Sequence, residues 1–403
     1  MAFRVPRIFS EPRPTRPHLF GSFTLNCALD NSPLAGRKLC DGLLRVLDGS
    51  PHLARCFRYI ELFIYASSQL AHDPALHSVL RRFPSVQTLI FRTFTDEWSR
   101  LPIDLVSSLH RIISSPSFER LEIHRVRFAP RAPELAVFLN HCARSLRYLT
   151  LVGVSYDGTV NAPSHGTREK IPQLTNLREM KVFGNSTNQT LLAMACDMPN
   201  LRRYHQNTNI SSAWWQPVYT IVQPCIPPSV SDLSLTIRLP VFFLKPDKIL
   251  QFPHFWEYTE MRQLTLILAT PVDGLHLSAL RTLEQFFAAI PPNTLPRLES
   301  FTIELPVRPS VNESDWQYAS VWEKASANLG PLVEVGSLTS VSLVLKLTGY
   351  AGPTAPPANA GEMDLGVYEY LVRVVSRIEV GLHRLCSKGV LSVKFGNTSL
   401  PSR

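Results

Sequence analysis

The sequence predicts an α/β solenoid in which a strand and a helix alternate along the whole chain. Three observations predict it. Eleven short segments share one strand-like pattern at near-regular spacing, the stretches between them carry helical spacing, and Pro outnumbers Gly by 33 to 18 and marks the junctions. With 45% hydrophobic and 18% charged residues over 403 positions, the Pro excess cannot belong to a disordered tail. It must punctuate a folded structure.

Five segments open with Pro and run Pro, any residue, apolar, two residues, apolar or aromatic: PSVQTLIF from Pro84, PSFERLEI from Pro116, PNLRRYHQ from Pro199, PSVSDLSL from Pro228 and PRLESFTI from Pro296. Six more keep the pattern without Pro: FRYIEL from Phe57, LRYLTL from Leu146, LREMKV from Leu177, MRQLTL from Met261, LTSVSL from Leu338 and VLSVKF from Val390. Aligned on their middle apolar residue they centre at 60, 89, 121, 149, 180, 204, 233, 264, 301, 341 and 393, so the first seven intervals are 24 to 32 residues. Each segment alternates apolar and polar residues, as a strand with one buried face does.

Between them the period becomes helical. DLVSSLHRIISS from Asp104 puts Leu105, Leu109, Ile112 and Ile113 on one face, and PELAVFLNHC starts with Pro133 at a first helical position. HLSALRTLEQFFAAI from His276 and DLGVYEYLVRVVSRIEVGLHRLC from Asp364 read the same way. Pro suits the helix-to-strand junction because it cannot continue a helix and biases its predecessor toward extended backbone. A unit of this size cannot bury its own apolar face, so repeats stack around a shared core. The L-x-x-L-x-L strand core matches a leucine-rich repeat, without the Asn or Cys that usually comes next, so the repeats are degenerate. The expected form is a horseshoe with parallel strands on the concave face and helices outside. A doubly wound sheet is the competing architecture, and it would want a Gly-rich first loop that this chain lacks.

The organisation expected is an extended N-terminal arm over 1–25, the solenoid over 26–346, a Pro, Ala and Gly-rich loop over 347–362, and a C-terminal helix and last strand over 363–403. The basic N-terminus has no apolar run of signal-peptide length, and no stretch qualifies as a membrane span, which implies a cytoplasmic or nuclear protein. Seven scattered Cys without a C-x-x-C pair read as reduced and mostly buried.

Chemistry is hard to find. No G-x-S-x-G elbow, H-E-x-x-H helix, Walker loop or G-x-G-x-x-G turn occurs. His141 and Cys142 are adjacent, and neighbours on a helix point in different directions, so they read as a surface His beside a packed Cys. His18, His110, His124, His165, His205 and His254 show no ligand spacing. No catalytic residue, cofactor or metal is therefore assigned, and the chain is read as a non-enzyme. Trp214, Trp215 and Tyr219 form an aromatic cluster that reads as core before binding patch.

Residues 1–203 hold 26 Lys and Arg against 16 Asp and Glu, while 204–403 hold 15 against 16. Acidic residues interleave with the basic ones at Glu119, Glu122 and Glu134, which favours an acidic protein partner over nucleic acid. The residues that alternate with the buried ones define the available surface: Thr88, Ile90, Arg92; Arg120, Glu122, His124; Tyr148, Thr150, Val152; Glu179, Lys181, Phe183; Arg203, His205; then Asp232, Ser234, Thr236, Gln263, Thr265, Ile267, Ser300, Thr302 and Glu304. The early strands carry the charged and aromatic members. Candidate protein-binding residues are Arg92, Arg120, Glu122, His124, Tyr148, Thr150, Glu179, Lys181, Phe183, Arg203 and His205.

The phrases LCDGLLRVLDGSPHLARCFRYIELF, VLRRFPSVQTLIFR, LVSSLHRIISSPSFERLEIHRVRF and SLRYLTLVGVSYDG resemble the F-box-like leucine-rich-repeat proteins of mushroom-forming fungi, over nearly the whole chain from about residue 18. The resemblance implies a substrate receptor of a cullin-RING ubiquitin ligase, in which an F-box docks on a Skp-type adaptor and the repeats capture substrate. RPHLFGSFTL is similar to the segment that joins the F-box to the repeats in relatives. The residues before it carry no L-P-x-E-type start, so adaptor docking transfers to no residue here. An α/β enzyme without a recognisable motif and a basic nucleic-acid-associated protein are the alternative functions.

Overall fold

In the computed structural model, the structure describes residues 21–26, 33–94, 97–128, 134–156, 173–185, 197–209, 219–220, 229–240, 250–251, 259–269, 276–290, 294–307, 319–347, 365–395 and 398–399. The arm before residue 21, the loop after 347, Pro133, Trp214 and Trp215 lie outside the described residues.

The protein is α/β, with parallel strands and helices. It divides into two compact units, Met1–Leu149 with Tyr156–Thr167, and Thr150–Ser155 with Arg168–Arg403. In the first unit β1 (Ser22–Asn26), β2 (Tyr59–Phe63), β3 (Thr88–Arg92) and β4 (Arg120–His124) pair in chain order, all parallel. The unit boundary falls inside β5 (Tyr148–Val152). Helices α1 (Pro33–Gly49), α2 (Pro74–Arg81), α3 (Ile103–Ile113) and α4 (Glu134–His141) link the strands, and each packs on the next.

The second unit pairs β6 (Glu179–Asn185), β7 (Arg203–Asn209), β8 (Asp232–Pro240), β9 (Met261–Ala269), β10 (Ser300–Val307), β11 (Ser340–Leu347) and β12 (Leu391–Phe395) in order, again parallel. A short β13 (Thr398–Ser399) closes it as an antiparallel hairpin. Its helices are α5 (His276–Ala289), α6 (Ala319–Glu334), α7 (Leu365–Gly381) and α8 (His383–Ser387). The sequence pattern reads α7 and α8 as one helix; the structure breaks it at Leu382, whose backbone leaves the helical region at φ −103, ψ 24.

Proline marks the phase of the Pro-led repeats. In all five Pro-led segments the strand begins four residues after the Pro, at Thr88, Arg120, Arg203, Asp232 and Ser300. The residues two and five positions after the Pro are core: Val86 and Leu89, Phe118 and Leu121, Leu201 and Tyr204, Val230 and Leu233, Leu298 and Phe301 are all buried. One backbone carbonyl then ties each repeat to the one before. Arg58 O accepts from the N–H groups of Gln87 and Thr88, Gln87 O from Glu119 and Arg120, Arg178 O from Arg202 and Arg203, and Arg202 O from Ser231 and Asp232, at 2.8–3.0 Å. These bonds satisfy the backbone N–H donors at the start of each strand.

The centres 60, 89 and 121 stand in register, as do 180, 204 and 233. Two steps differ from the expected alignment. A bulge at Leu233/Ser234 pairs Leu235 with Leu264, and the last strand pairs Val341 with Leu391, where the pattern had aligned Val393. Both offsets equal two residues, so the strands keep the same face toward the core. That face is covered by helices: Phe138 of α4 meets Trp98, which meets Phe91 of β3, and Phe286 and Phe287 of α5 pack on Phe301. Leu105, Leu109, Ile112 and Ile113 of α3 are all buried as their spacing predicts. Among the described residues no helix is long and apolar enough to cross a membrane.

Candidate functional site

The opposite face of each sheet is half-exposed, and it carries the candidate residues. In the first unit the register stacks Tyr59, Thr88 and Arg120 in one row, Glu61, Ile90 and Glu122 in the next, and Phe63, Arg92 and His124 in the third. Tyr148 opens β5 beside them. The Arg92 guanidinium meets Glu61 Oε1 at 3.0 Å, the Tyr59 hydroxyl donates to Glu61 Oε2 at 3.2 Å, and His124 Nε2 lies 3.5 Å from Glu122 Oε2. The Arg120 guanidinium sits 4.7 Å above the Tyr148 ring, a cation–π contact worth about 0.5–1 kcal/mol at an exposed site. Ile90 is a correction to the outward reading. The row places it between two glutamates, and the long side chains around it leave it only 7% exposed.

The electrostatics reflect this crowding. The hydrogen bond from His124 and, against burial, the positive charges of His124, Arg120 and Arg92 hold the Glu122 carboxyl below its ordinary range. Burial, then the charge of Glu61 and the hydrogen bond to it, push the Tyr59 hydroxyl up.

The second unit holds the other candidates. Glu179, Arg203 and Asp232 form one row; Lys181, His205 and Ser234 the next; Phe183, Asn207 and Thr236 the third. Thr150 lies half-buried on β5. Lys181 Nζ bonds Glu179 at 2.9 Å, and Arg203 stands 3.8 Å from both Glu179 and Asp232. Each cation here already has an anion. Burial raises the Glu179 carboxyl, but the Lys181 hydrogen bond and the charges of Lys181, His205 and Arg203 outweigh it and hold the group low. Beyond this patch the face becomes a hydroxyl row, Thr236, Thr265, Thr302 and Ser342 in register.

Burial holds the His205 imidazole below its ordinary value, and Lys181 and Arg203 add to that against the pull of Glu179 and Asp232. The unfolded chain therefore takes up this proton before the folded one does. His205 contributes stability that is full above pH about 6.5 and is lost as the pH falls below it. The melting temperature should fall between about pH 7 and 5.5, with a smaller fall in His205→Gln. An equal fall in both proteins would remove His205 as the cause.

The strands bring the eleven candidates onto their half-exposed faces, five of them in the first unit and six in the second. Away from these faces Ser114 Oγ lies 3.3 Å from His141 Nδ1, but it is exposed and gives its hydrogen to His110 O at 2.7 Å. Cys142 is buried and gives its thiol hydrogen to Leu139 O at 3.3 Å, while His141 is exposed and stacks on His110. Among the described residues no three His, Cys, Asp or Glu side chains are placed to hold a metal ion.

The sequence reading passed over Tyr59, Glu61 and Phe63, although the alternation of FRYIEL around Ile60 and Leu62 assigns them to the same face. The outward-facing set also omits Phe94 and Arg125, which lie just past the ends of β3 and β4, where alternation no longer guides. No protein-family model matches the chain, and no curated protein matches it at a significant level.

Proposed function

We propose that this chain is a non-enzymatic protein-interaction module of the leucine-rich-repeat type, with the strand face of a horseshoe as its binding surface. On this reading it is the substrate-recognition part of an F-box-like ubiquitin-ligase receptor, working in the cytoplasm or nucleus. The observation that carries the reading is the in-register array of charged and aromatic side chains on the half-exposed strand face, opposite a face that is wholly core. Arg, Tyr and Phe are the side chains that dominate protein recognition sites. The basic excess of the first half suits an acidic partner.

The test compares two charge reversals on the immobilised full chain in an extract of a mushroom-forming fungus. Arg120→Glu reverses the strand face, and Arg111→Glu reverses the exposed side of α3. Captured proteins should be lost by at least about tenfold with Arg120→Glu and retained with Arg111→Glu. Capture that neither change affects would defeat the reading.

A further inference from the structure

Strands β2, β3 and β4 of the first unit end in a cluster of aromatic and basic side chains. Phe63 closes β2, Tyr65 lies two residues on, and Phe94 lies two residues beyond β3. All three continue the outward alternation, because Ile64 and Thr93 between them are buried. Ring centroids are 5.6 Å apart for Phe63 and Tyr65, 5.7 Å for Tyr65 and Phe94, and 6.5 Å for Phe63 and Phe94. Phe94 nevertheless remains 54% exposed, so much of its apolar surface stays in water in the folded chain.

Arg125 completes the cluster. It comes directly after β4 in the left-handed region at φ 55, a conformation that disfavours a long side chain. Two bonds from Thr93 hold it there: the Thr93 N–H donates to His124 O at 3.1 Å, and its hydroxyl donates to Arg125 O at 2.6 Å. The result is a guanidinium fixed 5.6 Å from the Phe94 ring. The neighbouring Arg92 and Arg127 pair with Glu61 and Glu97, whereas Arg125 is exposed and makes no ion pair among the described residues. A strained residue held by dedicated bonds, with its charge presented beside exposed aromatic surface, is the kind of outlier from which function is inferred.

We propose that this cluster anchors a protein segment carrying an aromatic or large aliphatic side chain next to a carboxylate. The apolar side chain lies on Phe63, Tyr65 and Phe94, and the carboxylate takes two parallel hydrogen bonds from Arg125. The inference rests on the protein-binding reading above and names the partner's chemistry. The charge balance supports it, with 26 basic residues against 16 acidic over 1–203. Glu61, Glu97 and Glu122 close to the cluster disfavour a polyphosphate strand there, which makes nucleic acid the losing outcome of the test.

The experiment selects random peptides displayed on phage against the immobilised full chain, then measures affinities of the synthesised winners by fluorescence anisotropy. The winners are expected to carry Asp or Glu near Phe, Tyr, Trp or Leu. Phe94→Ala and Arg125→Gly should each weaken them at least about tenfold, and changing the peptide's acidic residue to its amide should do the same. Arg125→Gly should leave the melting temperature unchanged or higher, which separates lost binding from lost folding. Peptides that bind both variants as tightly as the parent but lose affinity in Arg120→Glu would overturn this inference and keep the protein-binding reading. Displacement of the parent's ligand by oligothymidine, without acidic enrichment, would overturn it in favour of nucleic acid. Recovery of no peptide above background would overturn both readings.

Discussion

Leu121→Asp should unfold the first unit, whereas Glu122→Gln, one residue along the same strand, should move the melting temperature by at most a few degrees. Leu121 is 0% exposed and stands in register with Leu89, which is equally buried. Replacing it removes about 2–3 kcal/mol of apolar burial and places a carboxyl group where no water or partner reaches it, for several kcal/mol more. That loss is comparable to the whole stability of an ordinary domain, about 5–15 kcal/mol. Glu122 points to the other face, where its amide replacement keeps the shape and most of the contact with His124, and surface ion pairs contribute about 0–1 kcal/mol. Far-UV circular dichroism and a urea titration read the contrast directly. Equal loss in both variants, or in neither, would mean that the inner and outer faces of β4 are misassigned.

The contrast isolates what was legible in the sequence. Alternation has a period of two residues, so any strand centred on an apolar residue reveals both its faces at once. For that reason Thr236 and Thr265, both named as outward-facing, share the half-exposed face even past the bulge beside Ser234, where the expected register is off by two. The Pro-led segments were legible for a related reason. Pro84, Pro116, Pro199 and Pro296 each stand at a junction, and the core positions are then found by counting.

What stayed hidden depends on contacts distant in sequence. β1 is a single SFTLN strand without the preceding Pro or Leu motif, and only its pairing with β2 identifies it. The break at Leu382 is invisible to helical periodicity, since apolar spacing runs straight through it. The Phe94 and Arg125 cluster is the clearest case. Its geometry comes from a bond between Thr93 and Arg125, residues 32 apart, and from a positive φ that nothing in the Arg125 neighbourhood announces. Propensity would have placed Gly or Asn there.

Gly381→Ala should destabilise the second unit by about 1–3 kcal/mol, although Ala is the better helix former by up to about 1 kcal/mol. Gly381 ends α7 against α6, and a Cβ there would lie 2.4 Å from Trp322 Cβ and 3.2 Å from its Cγ. Trp322 is 1% exposed, and its Cβ is anchored to the α6 backbone, so rotating the side chain cannot relieve the contact. The helices must separate instead, which opens a gap around the indole. Gly36→Ala is the control. Its Cβ would meet Leu70 Cδ2 at 2.5 Å, but that atom is the far end of a side chain that can turn away, so the substitution should be near neutral. Trp322→Ala alone should cost about 3–5 kcal/mol. Once the indole is gone, separating the helices forfeits less packing, so Gly381→Ala should cost less by about 1 kcal/mol in the Trp322→Ala background than in the parent. Strictly additive losses in a denaturant double-mutant cycle would show that the helix end yields without moving against Trp322, and that the close approach at Gly381 is not what holds α7 in place.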